Sequence, residues 1–329
     1  MIMTGSGLYQ VNSIGFGTWA WGNAFVWGYN PEKDDMRLAA TFRQALNAGI
    51  NLIDTADSYG TGFWNGRSES LLGRFISALP AHRRSHLLVA TKLAPFPWRQ
   101  GRRGLDRAFA ASAKRLNGNL RRVQLHWSTA RYAPWQEVAL LDGLGDLVQK
   151  GQVEELGLSN IGPQRLAWMY DRLIARGISL SSVQIQWSLV SPDEPRTQEL
   201  LDLCSELGIE VLAYSPLAFG MLCCEPGREP RPTTWVRRQL FRRLLPDSFR
   251  IRQLVYAIAK ERGVPMVQVA LNWCRAKGTT PIPGIRTPKQ AIDVAGALTW
   301  NLLEDECIEL DRERSRCVTR MPSNPFQSR

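Results

Sequence analysis

The sequence predicts an α/β fold, a TIM-type (β/α)8 barrel built as a single domain over residues 1–329. Three observations carry this expectation. Short apolar segments recur eight times, with stretches of helical periodicity between them. The first segment gives Gly15-Phe16-Gly17-Thr18-Trp19, without the third glycine and helix start that open a dinucleotide-binding open sheet. The length of 329 residues, 44% apolar and 22% charged, suffices for one large core.

The elements follow in order. Strand one covers residues 14–18 and leads to a helix at 34–48, which Gly49 ends where positive φ is needed. Strand two, 51–54, reads Asn-Leu-Ile-Asp and precedes a helix at 68–79. Strand three, 87–93, and strand four, 122–126, flank a helix at 105–116. A helix at 134–150, stopped by Gly151, feeds strand five at 154–159. Gly162-Pro163 opens the next helix, 163–176, because proline at the first helical position loses no hydrogen bond. Gly177 closes it before strand six at 183–187. A helix at 195–207 with Gly208 behind it precedes strand seven at 210–214. Residues 218–249 form a long loop, too long for a bare connection and therefore functional. A helix at 250–262, ended by Gly263, leads to strand eight at 280–283. Thr287-Pro288 starts a helix at 287–296, and an extra C-terminal helix covers 304–316.

Composition excludes several classes. No apolar run reaches the roughly 20 residues that span a bilayer, so no membrane insertion is expected. Residues 1–13 have the pattern of neither a secretory nor a transit segment. Six cysteines without a C-x-x-C, and three histidines, fit neither a disulfide framework nor a zinc cage. The reading is a monomer in a reducing cytoplasm, with no metal. The net charge of +11 is uneven: eight arginines, from Arg228 to Arg252, crowd one stretch with three carboxylates. Pro226, Pro230 and Pro232 interrupt it and no nucleic-acid-binding signature accompanies it, so an anionic small molecule is the expected partner.

In such barrels the reactive groups project from the C-terminal strand ends. Three consecutive strands end in Asp54, Lys92 and His126, and Tyr59 follows Asp54 across a short loop. Burial of Asp54 and Lys92 is tolerable only as a pair. A free phenol, with a pKa near 10, is too weak an acid at neutral pH, and a neighbouring ammonium lowers that value. Lys92 is thus expected to activate Tyr59, with Asp54 fixing Lys92. His126 donates to a carbonyl oxygen as charge grows there, and Tyr59 protonates it. None of the four supplies electrons, so a nicotinamide hydride is required.

The tetrad Asp54, Tyr59, Lys92 and His126 resembles that of the aldo-keto reductases. The likeness continues through Gly157-Leu-Ser-Asn160, Val183-Gln184-Ile-Gln-Trp-Ser188, Ala213-Tyr214-Ser-Pro-Leu217 and Ile282-Pro-Gly-Ile-Arg286. It implies a barrel that binds NADP(H) and reduces a small-molecule aldehyde. Phe16-Gly-Thr-Trp-Ala-Trp-Gly-Asn23, Asp57-Ser-Tyr-Gly-Thr-Gly62 and Leu125-His-Trp-Ser-Thr-Ala130 are similar to the pyridoxal-reducing branch of that family in plant plastids. So is Phe326-Gln-Ser-Arg329. This implies pyridoxal as substrate and pyridoxine as product.

The resemblance also implies cofactor contacts. Ser159, Asn160 and Gln184 would hold the nicotinamide carboxamide, and Tyr214 would stack on its ring. Gly17, Thr18 and Trp19 would lie beneath it, while Ser215, Pro216, Leu217 and Gly220 would line the pyrophosphate. Gly284, Arg286 and Gln290 complete the set. Arg286, beside the helix start at Thr287-Pro288, would take the 2′-phosphate, with Lys289 assisting. Two departures stand out. Val294 replaces a usual adenine-contacting asparagine, and Cys223-Cys224-Glu225-Pro226 replaces the usual Thr-Gly-Lys-Tyr. The arginine-rich stretch, at Arg237 or Arg238, is expected to substitute for the missing lysine. Trp21, Trp27, Trp64, Trp98 and Trp127 follow the first four strands and are expected to wall the substrate pocket. Two other activities remain open at this point. One is a Schiff-base aldolase using Lys92, the other an NADP-binding accessory subunit without catalysis.

Overall fold

A computed structural model describes residues 13–62, 65–192, 196–325 and 327–328. Eight parallel strands lie side by side in chain order: β1 (Gly15–Gly17), β2 (Leu52–Asp54), β3 (Leu88–Leu93), β4 (Arg122–Leu125), β5 (Glu155–Ser159), β6 (Leu180–Gln186), β7 (Glu210–Tyr214) and β8 (Thr280–Pro281). The ring closes just past β8, where Gly17 bridges Gly284 and its N–H donates to the Pro283 carbonyl at 2.9 Å.

The helices, in chain order, are α1 (Ala24–Trp27), α2 (Pro31–Asn47), α3 (Arg67–Ser77), α4 (Ala81–Arg84), α5 (Gly101–Arg115), α6 (Pro134–Gln149) and α7 (Pro163–Ile174). After them come α8 (Thr197–Glu206), α9 (Trp235–Leu244), α10 (Phe249–Arg262), α11 (Met266–Ala276), α12 (Pro288–Ala295) and α13 (Glu304–Arg316). Helix α2 begins three residues before the expected start, because Asn30 caps the Glu32 N–H at 2.9 Å and Pro31 is preset for a first turn.

Two expectations need correction. Residues 218–249 are not a bare loop: they hold a 3-10 turn at Ala218–Cys223 and the amphipathic α9, which buries Phe241 and Leu244. Helix α11 is absent from the sequence-based reading, although Gln268, Asn272 and Arg275 recur on one face at helical spacing; its residues Met266 through Cys274 are all buried.

Strand alternation sorts side chains between the helices and the barrel interior. The interior is layered. At the N-terminal end Arg122 bridges Glu155 and Glu210 at 2.6 and 2.9 Å. Above it Leu52, Leu88, Ala90, Leu212 and Ile282 form an apolar plug. At the C-terminal end Asp54, Lys92, Gln124 and Gln184 make a buried polar layer. Gly157 leaves room for that layer: a Cβ there would lie 2.6 Å from Ser182 Oγ and 2.8 Å from Gln124 Cγ. The plug forces the polar layer to satisfy itself from its own members and from whatever enters at the mouth.

Candidate active site

Lys92 is buried in the polar layer, 1% exposed. Its ammonium donates to Asp54 Oδ2 at 2.5 Å and to the Thr55 carbonyl at 2.8 Å. Asp54 Oδ1 accepts from the amides of Gln124 at 3.1 Å and Gln184 at 2.9 Å. A buried ion pair whose remaining lone pairs are also bonded is the arrangement that low-dielectric burial tolerates. Gln124 was missed by sequence reasoning. It lies on β4, two residues before His126, and that parity was the available signal.

Tyr59 and His126 stand above this layer, at the wall of a cavity of about 930 Å³. The Lys92 ammonium is 4.9 Å from the centre of the Tyr59 ring, and the His126 ring meets Tyr59 edge-on at 5.8 Å. The structure thus brings the four groups together. The expected acidity does not follow. The Tyr59 phenol is pushed well above 10, first by burial and then by the charges of Asp54 and Asp57. Burial also lowers the Lys92 ammonium, against the pull of Asp54. Water lost around a phenolate outweighs an ammonium already committed to a carboxylate. His126 is held far below its ordinary 6.5 by burial and by Lys92 and Arg99, so its imidazole is neutral.

Around these groups the cavity is lined by Gly17, Trp19, Ser159, Asn160, Gln184 and Tyr214. Ser215, Pro216, Leu217 and Gly220 continue the lining, with Gly284, Arg286 and Gln290 beyond. Thr18 does not line it; its hydroxyl is buried and donates to the Asp54 carbonyl at 3.0 Å. The side chain of Asn160 is saturated. Its amide N–H groups donate to the His126 carbonyl and Ser159 Oγ, and its oxygen accepts from Tyr214 and Asn324. A carboxamide seated there must displace one of these partners. Asn324 belongs to a C-terminal tail that crosses the mouth, and sequence reasoning did not find it.

One wall carries two arginines, Arg237 and Arg286. The Arg237 guanidinium stacks on Trp27 at 4.6 Å, and that of Arg286 lies 5.9 Å from the same ring. Arg237 also donates to the Phe219 carbonyl at 2.9 Å, and Phe219 stacks on Trp27. Among the described residues no carboxylate forms a salt bridge with either arginine, whereas Lys289 pairs with Asp293. Trp27 Nε1 and Arg237 Nε are buried without a partner. Two guanidiniums, one of them with an unpartnered Nε, and the orphan indole N–H of Trp27 are a donor set for phosphate oxygens, so the residues fit NADP(H). Trp27 thus lines the cavity as expected, on the side of the arginines.

The tryptophans divide. Trp127 lines the cavity beside His126 at 4.8 Å; its indole donates to Tyr132, whose hydroxyl donates to the Pro95 carbonyl. Trp21 is instead fully buried against Phe16 and donates to the Ile285 carbonyl at 2.9 Å. Trp98 is 71% exposed and stacks on Phe96, outside the cavity. The placement of Trp64, like that of Phe326 and Arg329, lies outside the described residues. Among the described residues no His, Cys, Asp and Glu cluster could hold a metal, and no helix is long and apolar enough to cross a membrane.

Comparison with known proteins agrees with this geometry. The Aldo/keto reductase family model matches residues 13–313. The chloroplastic pyridoxal reductase of Arabidopsis thaliana is 45% identical over 326 residues, 98% of this chain and 88% of its own length. The glycerol dehydrogenase of Gluconobacter oxydans superposes with a TM-score of 0.76 at 26% identity, covering 100% of this chain and 98% of that one. An aldo-keto reductase from Klebsiella pneumoniae, solved with NADPH, gives 0.69 at 24% identity over 97% and 95%. On the extent of these matches, the chain belongs to the aldo/keto reductase family.

Proposed function

We propose that the protein reduces an aldehyde with NADPH, and that pyridoxal, converted to pyridoxine, is its substrate. The observation that carries this reading is one cavity with Tyr59 and His126 at one part of its wall and the unpaired Arg237 and Arg286 at another. The 45% identity to a protein named pyridoxal reductase supports the substrate.

Bound NADPH supplies the hydride to the carbonyl carbon. The displaced electron pair moves onto the carbonyl oxygen, which takes its proton from the Tyr59 hydroxyl. A phenol with a raised pKa is fully protonated in the resting site, so the acid is always loaded. Lys92 then acts later than its spacing suggested. Its charge, 4.9 Å from the ring, stabilises the phenolate as it forms, an interaction stronger in the transition state than before it. His126 donates to the same oxygen. Trp127 offers an aromatic face for a flat ring such as pyridine.

The burial of Lys92, which does not line the cavity, counts against attack on a carbonyl by its amine. The six free thiols ask only for a reducing compartment. The cytoplasm fits that, and so does the chloroplast in the Arabidopsis relative's name. The test is loss of NADPH absorbance with pyridoxal and a panel of aldehydes. Turnover highest on pyridoxal is expected. A better aldehyde corrects the substrate, and tight NADPH binding without turnover favours an accessory subunit.

A further inference from the structure

We propose that Ser58 is a positioning residue that sets the tautomer of His126, its hydroxyl donating to Nδ1 so that Nε2 carries the ring hydrogen. The observation is a contact of 3.3 Å between Ser58 Oγ and His126 Nδ1. Nothing else in the site pairs with the ring by a hydrogen bond among the described residues; its other neighbours are the rings of Tyr59 and Trp127. A neutral imidazole has one N–H and one bare nitrogen, and the partner of one nitrogen decides the state of the other. A hydroxyl can rotate to donate, and the bare imidazole nitrogen is the stronger base of the two groups.

The loop that holds Ser58 is fixed at several points. Asp57 N–H donates to the Lys92 carbonyl at 3.0 Å, and Asp57 Oδ1 accepts from the Ala94 N–H at 3.2 Å. Asp57 also pairs with Arg99. The Tyr59 N–H donates to the Ala56 carbonyl at 3.1 Å. One rigid turn therefore presents the phenol of Tyr59 and, one residue earlier, the hydroxyl that orients the neighbouring donor. The opposite tautomer would turn a lone pair of Nε2 toward an oxygen that is gaining negative charge, and would repel it. This consequence rests on the proposed reductase reading, but the tautomer does not.

The chain's composition makes the tautomer readable, because it has three histidines and His82 and His86 are exposed on the surface. Two-bond nitrogen-15 correlation spectra of the full chain separate bare from hydrogen-bearing ring nitrogens. The expected result is a bare Nδ1 and a hydrogen on Nε2 of His126 between pH 7 and 8, where Asp57 is ionised and the turn is held. In Ser58→Ala the two tautomers mix, and in Ser58→Thr the pattern returns. Turnover of Ser58→Ala falls about 3- to 10-fold, the worth of one neutral hydrogen bond, with the NADPH dissociation constant unchanged. A hydrogen on Nδ1 in the unmodified protein, or an unchanged pattern in Ser58→Ala, overturns the proposal. A chain that shows the expected tautomer but reduces no aldehyde overturns the reductase reading instead.

Discussion

The Lys92 ammonium lies 2.5 Å from the Asp54 carboxylate, and both side chains are at most 3% exposed. Removing one partner strands the other charge in the barrel interior. Lys92→Met is therefore expected to destabilise the fold by about 3–5 kcal/mol. Chemical denaturation measures this, and a loss below about 1 kcal/mol would mean that water reaches Asp54 and that the pair is not sealed.

Tyr59 stands above this pair, and the proposed reaction takes its proton from the Tyr59 hydroxyl. Tyr59→Phe keeps the ring, the packing against His126 and the cavity shape. The expected result is unchanged NADPH binding with turnover reduced by at least about a hundredfold, the usual reach of a general acid. Substantial turnover in the variant would move the proton source to His126 or water.

The pH profile separates the groups by sign. The Tyr59 phenol stays protonated above pH 10, so it sets no alkaline limit below that. Lys92, lowered from its ordinary 10.5, loses its charge first as pH rises. An alkaline fall in kcat below pH 10.5 is therefore assigned to Lys92, and Lys92→Arg is expected to move it upward. On the acid side His126 is already neutral, whereas burial raises Asp57 to about 6. Protonating Asp57 as pH falls through 6 loosens Arg99 and the turn that carries Tyr59. An acid limb near pH 6 that disappears in Asp57→Asn meets this expectation; one that persists belongs to another group.

Much of the site was legible because strand parity is a local property. Asp54, Lys92 and His126 each end a short apolar run, so their common direction follows from the alternation of side chains in a barrel. What was not legible depends on partners far along the chain. Trp19 and Trp21 look alike in sequence, but Trp21 is taken into the core by the Ile285 carbonyl, 264 residues away. Asn324 reaches Asn160 across 164 residues. The phenol's acidity was misjudged for a different reason. Spacing revealed a nearby ammonium but not the depth of burial, and desolvation is the larger effect.

The tryptophans offer a clean division between packing and recognition. Trp21→Ala is expected to cost about 3–5 kcal/mol, as large aromatic deletions in cores do. Trp98→Ala, at an exposed stacked ring, is expected within about 0.5 kcal/mol of the parent. Trp127→Ala should raise the aldehyde KM with NADPH binding intact. Thermal melts and steady-state kinetics on the three variants read this pattern. A raised KM in Trp98→Ala would extend the substrate wall outward.

Arg237 lies on α9, and among the described residues no carboxylate forms a salt bridge with it. Its guanidinium is held flat by Trp27 and Phe219, which fixes its direction without neutralising it. A charge-assisted hydrogen bond to phosphate contributes about 1.5–3 kcal/mol. Arg237→Glu is thus expected to weaken NADPH about 10- to 100-fold or more, since the sign of the local field also reverses. Fluorescence titration gives the constant, and a shallower salt dependence of binding is expected in the variant. Arg286→Ala should act differently: if it meets the 2′-phosphate, it lowers affinity for NADPH far more than for NADH. Equal losses for both nucleotides in Arg286→Ala would place that arginine on the pyrophosphate, and an unchanged constant in Arg237→Glu would remove Arg237 from the cofactor site.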